Sequence, residues 1–376
     1  LSRENNVETI SLSGPDITEA EIDAVVAVLR TPHLSLGPKV AEFEAALARR
    51  LNVKFAVACN SGTSALHMAW RSIGLRPGDE VVTTPFSFIA SANSIVYEGG
   101  RPVFVDIDPR TWQIDAGLVE AAITPRTRAV LPVDIFGSTP DWDAISAIVR
   151  RHKLRVVEDS CEALGTTRKG KPTGTFGEVG AFGFYPNKQV TTGEGGMLVT
   201  DNAEIAGLAR SIRNQGRDPE AGWLAHARLG FNFRLPDINC AIGVEQLKRL
   251  DAIKARRAQV AGWYIERLRD ESRLRLQVVP DEVSINWFVF VVRLSDDYTQ
   301  AQRDEILKKL AQRGIGCGNY FTPIHLQPFY RDEFGYKPGD FPVTEALSAR
   351  TVALPFHNRL SEADVDRVTK ALRELL

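Results

Sequence analysis

The chain has 376 residues, of which 44% are hydrophobic and 25% charged, and its formal net charge is -1. That length supports two domains with a sizeable core, and so balanced a charge gives no global attraction to nucleic acid or to a membrane surface. Its four cysteines, Cys59, Cys161, Cys240 and Cys317, lie too far apart for a zinc site or a redox pair, so they read as reduced core thiols and no metal is expected.

In chain order, residues 1–6 are polar, and the longest apolar runs are too short and interrupted for a signal peptide or membrane span, which predicts a cytoplasmic protein. Helical patterns over 17–29 and 40–51, the second opening after Gly37-Pro38, read as an N-terminal arm. From about residue 55 to about residue 200, short apolar runs alternate with helical patterns, the signature of a mostly parallel sheet covered by helices. Strands are expected at 54–58, 80–84, 102–106, 129–133, 154–158, 180–184 and 196–200, and helices at 63–73, 89–97, 141–151 and 204–214. After Pro236 the character changes to a long charged helix over 237–272, a strand over 286–294, a helix over 300–313 and a closing helix after Ser361. This predicts a large domain at 1–236 and a smaller α+β domain at 237–376, with no internal repeat.

Parallel α/β sheets bind ligands beyond the carboxyl ends of their strands. Ser61-Gly62-Thr63, Phe86-Ser87-Phe88 and Asp159 each follow an expected strand, which places them on one rim. Residues 60–66 read as a strand, a glycine turn and a helix start, whose free N–H groups and hydroxyls fit a phosphate; simple N-capping by Ser61 or Thr63 is the other reading. Asp159 either caps the next helix or faces a ligand, and Phe88 either packs in the core or lies on a flat ring.

The most telling stretch is 184–196, Phe-Tyr-Pro-Asn-Lys-Gln-Val-Thr-Thr-Gly-Glu-Gly-Gly, with Lys188 between an apolar strand and a glycine-rich loop. A lysine in so apolar a context is costly unless neutralised or bonded, although a solvated surface lysine is the plain alternative. A Schiff base with pyridoxal 5′-phosphate resolves the cost, and Asp159 on the pyridine nitrogen keeps the ring an electron sink.

In order and spacing these motifs resemble the DegT/DnrJ/EryC1/StrS family of sugar aminotransferases, within the fold type I pyridoxal-phosphate enzymes. The likeness runs through 12–17, 37–44, 60–66, 102–108, 158–165, 182–198, 230–235 and 320–330. It implies a large domain with a mostly parallel mixed sheet flanked by helices, followed by a smaller C-terminal domain. Lys188 would form the Schiff base and carry protons, and Asp159 would pair with the ring nitrogen. Ser61, Gly62 and Thr63 would hold the phosphate, and Phe88 would stack on the ring. Asn232 would reach the phosphate from the neighbouring subunit of a homodimer with shared active sites. Tyr320 and His325 match a stretch near the sugar nucleotide, where His325 is otherwise a hydrogen-bonded structural histidine. By resemblance L-glutamate gives the amine, leaving pyridoxamine phosphate, and a nucleotide-linked keto sugar receives it.

Two positions depart from the family pattern. Glu162 stands where Gln or His is common, and a carboxylate near the cofactor phenolate is repulsive unless protonated or turned away. Gly183 replaces a phosphate-binding Ser, so a backbone N–H or water must compensate. The loop 191–196 resembles enzymes acting on the C4 ketone of nucleotide-linked 4-keto-6-deoxy sugars, such as perosamine synthases. Within the family the alternatives are a C3 keto-sugar or cyclitol aminotransferase, or the dehydratase branch, whose His in place of the lysine Lys188 argues against. Outside it, a nicotinamide dehydrogenase lacks its Gly-x-Gly-x-x-Gly turn, and a regulatory relative without chemistry fits poorly with an intact Lys188 and Asp159.

Overall fold

The computed structural model describes residues 9–218, 222 and 225–376; the polar stretch at 1–6 lies outside them. Strand residues alternate between two buried faces, as a sheet covered on both sides requires. On β1 (Phe55–Cys59), Val57 enters one apolar cluster while Ala56 and Ala58 enter another. The main sheet continues with β2 (Glu80–Thr83), β3 (Arg101–Phe104), β4 (Thr127–Val130) and β5 (Arg155–Asp159). After the hairpin strands β6 (Thr167–Arg168) and β7 (Lys171–Pro172), it is completed by β8 (Val179–Gly183) and β9 (Gly196–Thr200). Its seven strands lie in the order β1-β9-β8-β5-β4-β2-β3. Strand β9 is antiparallel to both neighbours and the other pairings are parallel, so β1, β2, β5 and β8 end on the same rim.

The N-terminal helices are α1 (Glu19–Leu29) and α2 (Pro38–Leu51). Through the sheet run α3 (Gly62–Ser72), α4 (Ala90–Val96), the short α5 (Ala116–Val119), α6 (Trp142–His152) and α7 (Ala203–Arg213). Helices α3 and α7 cover one face through Leu66, Trp70, Ile205 and Ile212. Phe43 and Leu47 of α2 cover the other beside Phe182, Phe184 and Met197. The fold is therefore the α/β arrangement expected, with strands and helices close to their expected bounds.

The single helix expected over 237–272 is instead two, α8 (Asp237–Lys248) and α9 (Leu250–Leu268), parted at Arg249. The guanidinium of Arg249 is drawn to Glu21, at 2.9 Å, and to Asp16, at 2.8 Å, which fixes the break against the N-terminal segment. Cys240 and Val244 of α8 complete the cluster around Phe43, whereas Val260 and Tyr264 of α9 enter the C-terminal core. Leu250, the first residue of α9, still belongs to the cluster around Phe43, so α8 and the start of α9 pack on the main-sheet side and the C-terminal core is reached only further along α9. The reason lies partly at the start of α2. Gly37, its N-cap, has no side chain, and Asp237 accepts the N–H groups of Gly37, at 2.7 Å, and of Lys39, at 3.0 Å.

Beyond α9 come β10 (Leu274–Leu276), β11 (Val283–Ser284) and β12 (Phe290–Leu294), then α10 (Gln300–Gln312), α11 (Pro328–Phe334), α12 (Pro342–Ser348), β13 (Thr351–Leu354) and α13 (Glu362–Leu375). Strands β10, β12 and β13 form an antiparallel sheet around Tyr264, Phe290, Leu310 and Val365. Ile10 joins this core, its N–H donating to the Gly314 carbonyl at 2.8 Å. The expected strand at 286–294 begins only at Phe290, because residues 286–289 cross to the rim of the main sheet. There Asn286 and Phe288 are buried. Among the described residues no helix is long and apolar enough to cross a membrane, and no cluster of His, Cys, Asp and Glu could hold a metal ion.

Candidate active site

A cavity of about 480 Å³ opens beyond the carboxyl ends of β1, β2, β5 and β8. At α3, the Ser64 N–H donates to Ser61 Oγ at 3.0 Å, so Ser61 takes the capping role and does not line the cavity. Gly62 and Thr63 do line it, and the first-turn N–H groups of α3 are free of partners within the helix. A Cβ on Gly62 would sit 2.7 Å from Cys161 Sγ and 3.2 Å from Gly183 Cα. The loops after β1, β5 and β8 therefore approach as closely as glycine permits. On Gly183 the same atom would make ordinary contact, 3.5 Å from Cys161.

Asp159, 4% exposed, ends β5 and faces the cavity. Its Oδ2 accepts the Ser91 hydroxyl at 2.7 Å, and its Oδ1 accepts the Cys161 N–H at 3.2 Å. The Ser87 hydroxyl lies 2.8 Å behind that of Ser91, so a chain of hydroxyls aims the carboxylate. Phe88, 60% exposed, stands at the mouth rather than in the core.

Lys188 enters from the loop between β8 and β9, its Nζ 3.9 Å from the centroid of the Phe288 ring and 3.5 Å from Glu162 Oε1. The other oxygen of Glu162 accepts the Phe136 N–H at 3.0 Å. Burial pushes the Glu162 carboxyl up from its ordinary range, while Lys188 pulls in the opposite direction. Tyr320 closes the wall from the C-terminal part, its phenol also pushed up by burial.

These groups suit pyridoxal 5′-phosphate. An amine and a buried carboxylate face one cavity, and a helix N-terminus stands where an anion is stabilised. The Oδ1 of Asn187, in the same wall, is buried without a partner among the described residues.

Other expected residues lie elsewhere. Asn232 is exposed and bridges to Asn214, outside this chain's own cavity wall. His325, expected near the sugar nucleotide, is 0% exposed and absent from the wall. Its Nε2 is 3.0 Å from Glu345 Oε1 and its ring meets Phe341 edge-on. Burial pushes its pKa down. The cysteines also need correction: Cys59 and Cys240 are core thiols, but Cys161 and Cys317 are half-buried, and Cys161 lines the cavity. Ser91, Cys161 and Phe288 are among the wall residues that sequence reasoning missed. Ser91 lies one helical turn past Ser87, and Cys161 two residues past Asp159, so both had a local signal. Phe288 had none.

Together the fold and the site define a pyridoxal-phosphate-dependent transaminase. The model of the DegT/DnrJ/EryC1/StrS aminotransferase family matches residues 15–373, and the chain belongs to that family. It is 40% identical over 377 residues to the GDP-perosamine synthase of Caulobacter vibrioides, covering 99% of this chain and 100% of that one. The putative sugar aminotransferase Spr1654 from Streptococcus pneumoniae, solved in PMP and PLP forms, superposes in its PMP form with a TM-score of 0.93 at 28% identity, over 98% of this chain and 97% of that one. DesV of S. venezuelae, solved with a ketimine intermediate, gives a TM-score of 0.88 at 35% identity over 94% and 93% of the two chains. The fold is thus fold type I, and the chain is a sugar aminotransferase that uses pyridoxal phosphate.

Proposed function

We propose that the chain transfers an amino group from L-glutamate to the C4 ketone of a nucleotide-linked 4-keto-6-deoxyhexose, and that it does so as a homodimer with shared active sites. The observation that carries this reading is the end-to-end identity of 40% with a GDP-perosamine synthase. The likeness of loop 191–196 to enzymes of C4 chemistry supports it.

Bound pyridoxal phosphate supplies an electron sink and carries the amine between the two halves of the reaction. The chain's own residues do the rest. Lys188 would hold the cofactor through its amine and serve as the base that moves the proton at the substrate carbon. Asp159, aimed by Ser91, pairs with the ring nitrogen. Gly62 and Thr63 hold the phosphate on a helix end that Ser61 caps, and Phe88 covers the ring. Glu162, whose carboxyl burial pushes up while Lys188 pulls it down, would face the phenolate side of the ring. Gly183 leaves the place of a serine hydroxyl to a water or N–H. Tyr320 meets the sugar at the mouth. Asn232 serves the partner's site, a role that suits its exposure. Ile22, Val26 and Leu29 form an exposed apolar stripe on α1, which suits a second copy as its cover.

The test is to supply L-glutamate with a nucleotide-linked 4-keto-6-deoxyhexose and locate the new amine by NMR. Amination at C4 is expected. An amine at C3, or no turnover of any 4-keto sugar nucleotide by protein loaded with cofactor, rules the reading out.

A further inference from the structure

Arg257, on α9, is 3% exposed, and among the described residues no carboxylate lies within salt-bridge distance of it. Its guanidinium instead meets backbone carbonyls. Nη2 donates to the Lys188 carbonyl at 3.2 Å, and Nη1 donates to those of Phe288, at 3.1 Å, and Trp287, at 3.2 Å. Its Nε has no partner among the described residues, and the group lies 5.6 Å from the Phe356 ring centroid. A buried cation without a counter-ion is unfavourable, and an apolar side chain of similar volume would remove that cost. What an apolar chain cannot do is offer a rigid fork of donors to carbonyls from two separate segments.

Two of those carbonyls belong to residues that meet at the reacting amine. Lys188 carries the amine, and Phe288 carries the ring 3.9 Å from it. We infer that Arg257 is a positioning residue, which fixes the peptides of Lys188 and Phe288 together so that the lysine amine is presented to the cofactor at a set place in the cavity. It touches neither cofactor nor substrate. It acts through the peptides of Lys188 and Phe288, and it reaches the site from α9, outside the main sheet. The inference rests on the cofactor role of Lys188.

The test separates placing the lysine from building the cofactor cup. Pyridoxamine phosphate has no aldehyde and reports the cup, whereas borohydride-trapped linkage of pyridoxal phosphate to the Lys188 peptide reports the amine. In Arg257→Met the affinity for pyridoxamine phosphate should stay within about threefold of the parent, while the linkage rate falls by at least about tenfold. Arg257→Lys, which keeps one donor group, should fall between. Linkage at the parent rate, or affinity and linkage falling in parallel, overturns the inference. Should Arg257→Met fail to fold, Arg257→Lys decides by the same split. If the parent protein takes up neither form of the cofactor, the proposed function falls, and deuterium exchange of the apoprotein then decides the placing of Lys188. Exchange across 185–190 must rise in the variant with 179–183 unchanged, and equal exchange overturns the inference.

Discussion

Glu162 joins Lys188 to the loop after β4: one carboxylate oxygen lies 3.5 Å from the lysine Nζ, and the other accepts the Phe136 N–H at 3.0 Å. Because burial is the larger influence, the Glu162 carboxyl titrates higher in the folded than in the unfolded chain. The folded state therefore binds more protons between the two pKa values, and stability falls as pH rises through that window. Glu162→Gln lacks this titration. The melting temperature of the apo variant minus that of the apo parent should grow from pH 4 to pH 8, by roughly 1–3 °C. A flat or shrinking difference would show that the lysine, not burial, governs this carboxylate.

Gly62 and Gly183 predict contrasting tolerance. A methyl on Gly62 meets the Cys161 sulfur at 2.7 Å, while one on Gly183 has ordinary room at 3.5 Å. Gly62→Ala should weaken pyridoxal phosphate binding by at least about tenfold and Gly183→Ala by less than about threefold. Adding Cys161→Ala should restore part of the loss in Gly62→Ala, since it removes the nearer of the two contacts. Non-additivity in that double-mutant cycle is the measurement that checks the contact. Additive losses would mean that the sulfur is not what Gly62 avoids.

Asp237 caps α2 across the fold, and its loss should be felt as stability rather than chemistry. Asp237→Ala strands the N–H groups of Gly37 and Lys39 and should cost about 1–2 kcal/mol in chemical denaturation. Cofactor affinity per folded molecule should not change. The same contact marks where sequence reading stops. The pair Gly37-Pro38 announces a helix start, but nothing local says that the cap comes from residue 237. The seven strands of the main sheet were legible because strands buried on both faces leave continuous apolar runs, whereas the short polar hairpin strands β6 and β7 left none. Asp159, Gly62, Thr63 and Lys188 were legible because each follows such a run. Phe288 and the break at Arg249 were not, since both depend on contacts with distant segments: Phe288 with Lys188, and Arg249 with Asp16 and Glu21.

The proposed sharing of active sites has its own test. If Asn232 serves the partner's cavity, then Lys188→Ala and Asn232→Asp damage different halves of each composite site. Placing a carboxylate against the phosphate is repulsive, so each variant alone should be nearly inactive. When equal amounts are unfolded together and refolded, half of the dimers pair one chain of each kind. Each such dimer contains one site with an intact lysine and an intact asparagine, so activity should return to about a quarter of the parent's. A site completed within one chain behaves differently: every Lys188→Ala chain stays dead and every Asn232→Asp chain stays impaired, whatever its partner. No recovery on mixing, with dimers verified by light scattering, therefore rules out a shared site and returns Asn232 to the surface of its own subunit.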